Sequence, residues 1–305
     1  MRNEARLGAV CRAMLLALAC VLSLAPAAAA QEKIKVVATF SILADLVRNV
    51  GGDRVDVISL VGPNGDAHVY TPTPADARLV GAARLVVVNG LGFEGWISRL
   101  VTVSNSKAAV MVASRNVKAR RDGGGHGHGH DDDPHAWQSV PNVMTYVANI
   151  RDALTAADPA GKAVYEANAA AYRDKLAALD AEIRAAVAQI PPERRRVITS
   201  HDSFGYFADT YGVAFVAPRG VSTEAQASAR DVARIITQVK QQNIPAVFLE
   251  NITDQRMMQR IAEETGARIG GGLISDALTD GAGVAPTYVD LMRHNVKQLA
   301  AALAK

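Results

Sequence analysis

Past residue 30 the chain has no cysteine: its only two, Cys11 and Cys20, stand within the first thirty residues. Those residues read as a secretory signal peptide (1–30), because Arg2, Arg6 and Arg12 flank an apolar run over 13–24 that ends in the small residues Ala27, Ala28, Ala29 and Ala30. The remainder is then exported to an oxidising space with no thiol, which excludes disulfides and thiolate metal sites. Excess charge is missing as well. Three arginines and one glutamate leave with residues 1–30, so the formal net charge falls from +3 to +1, and a nucleic-acid partner is disfavoured for want of a basic surplus. No later stretch is long and apolar enough to span a bilayer. There is no P-loop, G-x-S-x-G or H-E-x-x-H, and Gly270-Gly-Gly272 lacks the spacing of a phosphate-binding fingerprint. An alternative processing, lipid attachment at Cys20, is suggested by Leu18-Ala19-Cys20, but the apolar run continues through Val21, Leu22 and Leu24.

What is present is an alternation. Short β-rich runs at 34–38, 55–61, 85–89 and 109–113 are separated by helical patterns, which argues for parallel βα units. The pattern restarts after Pro192, with strand candidates at 196–200, 213–217, 246–249 and 268–274 and helices near 231–241 and 254–265. Between the two series, Tyr165, Tyr172, Leu176, Leu179, Ile183, Val187 and Ile190 recur on one stripe of a long helix ended by Pro191-Pro192. The expected α/β architecture is therefore two similar lobes, each with a parallel sheet, joined by one long helix. Its expected divisions are a first lobe over 31–158, a linking helix over 159–190 and a second lobe over 191–305.

All seven histidines fall after residue 30. Three share a context: His68 follows the run 55–61, His135 follows 109–113, and His201 follows 196–200. Ligands of doubly wound sheets bind outside the carboxyl ends of the strands, so three imidazoles from both halves can converge on one cleft. Asp276, just past 268–274, stands where a fourth donor would. Three imidazoles and a carboxylate suit zinc and are tolerable for manganese, whereas calcium would call for oxygen throughout. His294, in the last helical pattern, has no such company and is expected to be structural. Glu250 follows 246–249 and can accept from a ligand imidazole, with a structural ion pair as the alternative. Trp137, Phe204 and Phe207 are expected as apolar walls.

A segment from Arg121 to Asp133 contains Gly-His-Gly-His-Gly-His130 followed by three aspartates, and no apolar residue between Asp122 and Pro134. It is expected to be a surface loop. Its His126, His128 and His130 can collect zinc weakly, because the intervening glycines let neighbouring rings turn toward one ion.

Four stretches carry a resemblance: Asp66-Ala-His68-Val-Tyr-Thr-Pro-Thr-Pro-Ala-Asp76, Asp133-Pro-His135-Ala-Trp137, Ser200-His201-Asp-Ser-Phe-Gly205-Tyr-Phe, and Ile274-Ser-Asp276-Ala-Leu. They resemble the ligand motifs of the zinc/manganese substrate-binding proteins of ABC importers, from about residue 34 to the end. The resemblance implies two four-stranded α/β lobes on one rigid helix, with the metal between them and His68, His135, His201 and Asp276 as ligands. It implies a periplasmic, monomeric receptor that hands zinc to an ABC permease and its ATPase, with a metallochaperone as a further partner, and no enzyme activity. Histidine at the third ligand position, where manganese-selective members tend to have glutamate, tilts the metal toward zinc; a manganese or mixed receptor is the alternative. Ala67 departs from those zinc members that carry an acidic residue before the first ligand, which favours Asp276 as the fourth. A secreted zinc hydrolase would use the same ligand types but needs an open coordination position and a general base.

Overall fold

The computed structural model describes residues 32–121 and 132–304. Eight strands form two sheets of four, and every pairing is parallel. The first contains β1 (Ile34–Phe40), β2 (Val55–Val61), β3 (Leu85–Val88) and β4 (Ala109–Val112) in the order β2-β1-β3-β4. In the second, β5 (Arg196–Ile198), β6 (Ala214–Val216), β7 (Ala246–Glu250) and β8 (Arg268–Leu273) repeat that arrangement as β6-β5-β7-β8. Strand β3 reads Leu-Val-Val-Val with all four residues buried, the unbroken apolar run expected of a parallel strand covered on both faces.

Nine α-helices complete the described chain: α1 (Ser41–Gly51), α2 (Pro74–Ala82), α3 (Ile97–Val103), α4 (Val140–Ala157), α5 (Lys162–Ala188), α6 (Gly205–Tyr211), α7 (Ala229–Gln242), α8 (Arg256–Thr265) and α9 (Tyr288–Leu303). Their starts are written in the sequence. Thr73 with Asp76, and Ser228 with Asp231, form capping boxes that satisfy the first free amides of α2 and α7. None of the described helices is long and apolar enough to cross a membrane.

The 27-residue α5 lies between the strands of the two sheets in sequence, and it buries Tyr165, Ala169, Tyr172, Leu176, Leu179, Ile183 and Val187 along one stripe. That stripe packs on α1 and α4 from one side of the sequence and on α9 from the other. Removing its large apolar side chains from water stabilises the junction by about 1.5–3 kcal/mol each. The contact between halves is continued by polar groups: Tyr288 N–H donates to Asp45 at 2.9 Å, and Leu278 N–H to the Ser41 hydroxyl at 2.9 Å.

Three strands stop short of the lengths that β propensity suggests. The amides of Asn89, Ser200 and Ile274 are taken by the side chains of Glu94, Glu250 and Asn295 instead of a neighbouring strand. The glycines of β8 have a packing reason. A Cβ on Gly270 would stand 2.6 Å from the Phe248 ring, and Gly271, at φ +126°, accompanies the register shift between Val247 and Phe248.

Candidate metal centre

In parallel sheets all carboxyl ends face one way, and the chain uses four of them. His68 follows β2, His135 follows β4, His201 follows β5 by three residues, and Asp276 follows β8 by three. Each is fixed locally. Asp66 Oδ1 accepts the His68 N–H at 2.9 Å and Asp133 Oδ1 accepts the His135 N–H at 3.0 Å, so both histidines sit on the same Asp-x-His turn. The carbonyl of Ala67 accepts from Trp96 Nε1 at 2.8 Å, and that of Pro134 from Asn89 Nδ2 at 2.9 Å. Ser200 and His201 both direct their N–H groups at Glu250 Oε1, at 2.7 and 3.1 Å.

The result is a small buried cluster. One donor atom from each of His68, His135, His201 and Asp276 lies within 4.8 Å of all the others. His68 Nε2 is 3.3 Å from His135 Nε2 and 3.2 Å from Asp276 Oδ2; His201 Nε2 is 3.0 Å from Asp276 Oδ2, and His135 Nε2 is 3.6 Å from Asp276 Oδ1. Ligands about 2.05 Å from an ion at the centre of a tetrahedron are separated by about 3.3 Å, so these spacings fit one small cation. His135, His201 and Asp276 have no solvent exposure, and the His68 side chain retains 5%. His68 also lines two surface clefts of about 510 and 1050 Å³, the first with Phe93, Pro134 and Glu224, the second with Tyr70 and Trp96.

Two of the rings have a carboxylate behind them. His135 Nδ1 is 2.8 Å from Asp133 Oδ1 and His201 Nδ1 is 2.6 Å from Glu250 Oε2, with both carboxylates fully buried. Asp133 accepts the Nδ1 proton of His135 and leaves its Nε2 lone pair aimed at the cluster, the arrangement that makes imidazole a good ligand, while Glu250 faces His201 Nδ1 as a charge partner. Without a cation the same carboxylates draw protons in. Burial lowers the affinity of His135 for a second proton, but Asp276 and Asp133 overcome it and carry its pKa up to about 9. Burial opposes the charge on His201 too, yet Glu250 and Asp276 hold it well above the ordinary imidazole value. His68 is pushed down, by burial first and by repulsion from the other two rings, against the pull of Asp276. Burial would raise Asp276, but His201 and His135 keep it far below the usual carboxylate range.

The four residues singled out from the sequence are thus brought together, with Glu250 behind His201. His294 is apart, bonded to the Gly272 carbonyl at 2.9 Å. Trp137 does flank the cluster, its ring 5.2 Å from that of His135. Phe204 and Phe207 pack on Phe215 in the second half instead; the ring against the imidazoles is Phe93, 4.7 Å from His68. Phe93 has no signal in the sequence, and Asp133 stood there only as the first residue of the Asp133-Pro-His135 motif with no role assigned, although an aspartate two before His135, as before His68, is a signal for a turn that presents an imidazole. His126, His128 and His130 lie outside the described residues. At the edges of that segment Arg121 and Asp132 form an antiparallel bridge, and Asp133 N–H donates to the Arg120 carbonyl at 2.7 Å.

Comparison with known proteins gives the cluster a context. Residues 36–302 match the family model described as zinc-uptake complex component A, periplasmic. The chain is 35% identical over 270 residues to the iron-binding protein YfeA of Yersinia pestis, covering 88% of this chain and 86% of that one. It is 36% identical over 279 residues to the manganese-binding lipoprotein MntA of Halalkalibacterium halodurans, covering 90% of each. Among solved structures, the periplasmic zinc-binding protein TroA of Treponema pallidum superposes with a TM-score of 0.84 at 31% identity, covering 90% of this chain and all of that one.

Proposed function

The chain belongs to the family of the periplasmic zinc-uptake component A, the metal-binding receptors of ABC importers, and on that premise we propose that its cargo is zinc, held by His68, His135, His201 and Asp276. The observation that carries this reading is the donor set: three imidazole nitrogens and one carboxylate oxygen within 4.8 Å of one another, two of the rings backed by buried carboxylates. Four protein donors fill the coordination of zinc and leave no position for an activated water, so the centre binds and releases an ion and performs no hydrolysis.

Outside the cytoplasm the receptor delivers its ion to a permease driven by an ATPase, with a metallochaperone as a further source of zinc, and it works as a monomer. Residues 1–30 direct export. The manganese-binding relative is a lipoprotein, which favours acylation of Cys20 as the alternative to full release; mass spectrometry of the mature amino terminus separates the two. His126, His128 and His130 collect zinc at low affinity ahead of the main site.

Manganese is the second reading, and iron comes with it, because the relatives that are 35% and 36% identical are named for iron and manganese. The decisive experiment purifies the protein without added metal, measures its metal content, and competes zinc, manganese and iron(II) against a chelator of known affinity. Zinc as the tightest of the three supports the proposal; manganese held more tightly than zinc overturns it. Alanine at His68, His135 or His201 should each weaken binding, and more than alanine at Asp276, whose place water can take. Full affinity in His201→Ala would remove that residue from the ligand set.

A further inference from the structure

Beyond Leu273 the chain runs for two residues before reaching Asp276, and their backbone is held in an unusual way. No strand pairs with Ile274 or Ser275; side chains from three separate elements take all four of their backbone polar groups. Asn295, buried in α9, accepts from the Ile274 N–H at 2.8 Å and donates to its carbonyl at 2.7 Å. Asn251 accepts from the Ser275 N–H at 3.4 Å. The Ser275 carbonyl receives two donors, Trp137 Nε1 at 2.9 Å and Gln138 Nε2 at 2.8 Å, which fills both of its lone pairs. Those two donors immediately follow His135 by two and three residues. Tyr288, at the start of α9, ties the same turn down by donating its hydroxyl to the Trp137 carbonyl at 2.7 Å.

We propose that Gln138 is a positioning residue: with Trp137 it fastens the turn bearing His135 to the segment bearing Asp276, so that these two donors form one rigid pair assembled before the ion arrives. Both lone pairs of the Ser275 carbonyl being occupied fixes the 275–276 peptide plane, and with it the direction in which Asp276 leaves the backbone. Gln138 is itself fully buried, and its amide oxygen has no hydrogen-bond partner among the described residues. An unbonded amide oxygen in the interior costs stability, so leucine or methionine of similar volume would suit the fold at least as well. What glutamine supplies that they do not is the N–H toward Ser275.

The inference rests on the reading of His135 and Asp276 as ligands, and the test separates the two. Zinc affinity is measured by chelator competition in the wild type, Gln138→Leu, Asp276→Ala and the double variant, together with the thermal midpoint of each without metal. Gln138→Leu should leave that midpoint unchanged or higher while weakening zinc binding roughly tenfold. In the Asp276→Ala background the same substitution should change affinity by less than about twofold, because its route to the ion is already gone. Gln138→Met, which also lacks the donor, should repeat both results. A midpoint that falls with the affinity, a full tenfold loss in the Asp276→Ala background, or no loss in the wild-type background would each overturn the proposal. No effect of Asp276→Ala alone would instead overturn the ligand reading beneath it.

Discussion

Zinc should enter this centre by displacing two protons at neutral pH. The metal-free cluster holds His135 with a pKa near 9 and His201 well above the ordinary value, while His68 is pushed below it. At pH 7 two of the three rings therefore carry the proton that the ion must replace, and the third is already neutral. Each displaced proton tilts affinity by about 1.4 kcal/mol per pH unit, so zinc binding should weaken about a hundredfold between pH 7 and pH 6. A third proton joins only at the acid end, where His68 takes one up. Isothermal titration in buffers of different ionisation heat counts the protons at a single pH, and chelator competition across pH 6–8 gives the slope. The expectation is two protons and a slope near two, each falling by about one in His201→Ala. A slope of zero would mean that the rings are already neutral, and the carboxylates behind them would then be no source of their charge.

The same raised pKa values make the metal-free protein respond to pH in the opposite sense. A folded-state pKa above the unfolded one contributes stability that is complete below about pH 6.5 and is lost as His135 deprotonates toward about 9, so the metal-free thermal midpoint should fall over that interval, and a midpoint that rises with pH contradicts the assignment. Asp133→Asn and Glu250→Gln should each weaken zinc binding by about tenfold to a hundredfold, with unchanged affinity in both showing that the two carboxylates have no influence on their rings. Excising residues 123–131 should remove weak zinc equivalents and preserve the tight one; loss of the tight site on titration would put a primary ligand in that segment.

The sequence pattern and the structure part at particular residues. β propensity runs on through Asn89, Ser200 and Ile274, yet at each of these positions a buried side chain takes the amide that a neighbouring strand would otherwise accept from. Pattern registers what a residue favours locally; it has no view of Glu94, Glu250 or Asn295 arriving from elsewhere. The histidines were legible because placement after a strand end is a local fact, repeated three times. Gln138 was not: its partner is Ser275, 137 residues away, and nothing near it in sequence distinguishes it from a surface amide. Phe93 belongs to the same class, a ring in a loop whose meaning comes only from His68 standing beside it.

The bridge between Arg121 and Asp132, with Asp133 bonded back to the Arg120 carbonyl, brings the chain out and returns it at one point. Arg120 and Asp133 are also an ion pair at 3.2 Å, so the doorway is closed by charge as well as by backbone. Where two ends are already held together, closure entropy grows slowly with the chain between them, by about 0.6 kcal/mol for each doubling of length. Changing the number of residues between Arg121 and Asp132, or placing a reporter peptide there, should therefore leave zinc affinity at the cluster unchanged so long as the bridge and the Arg120–Asp133 pair are kept. Engineering a sensor into this protein should begin there.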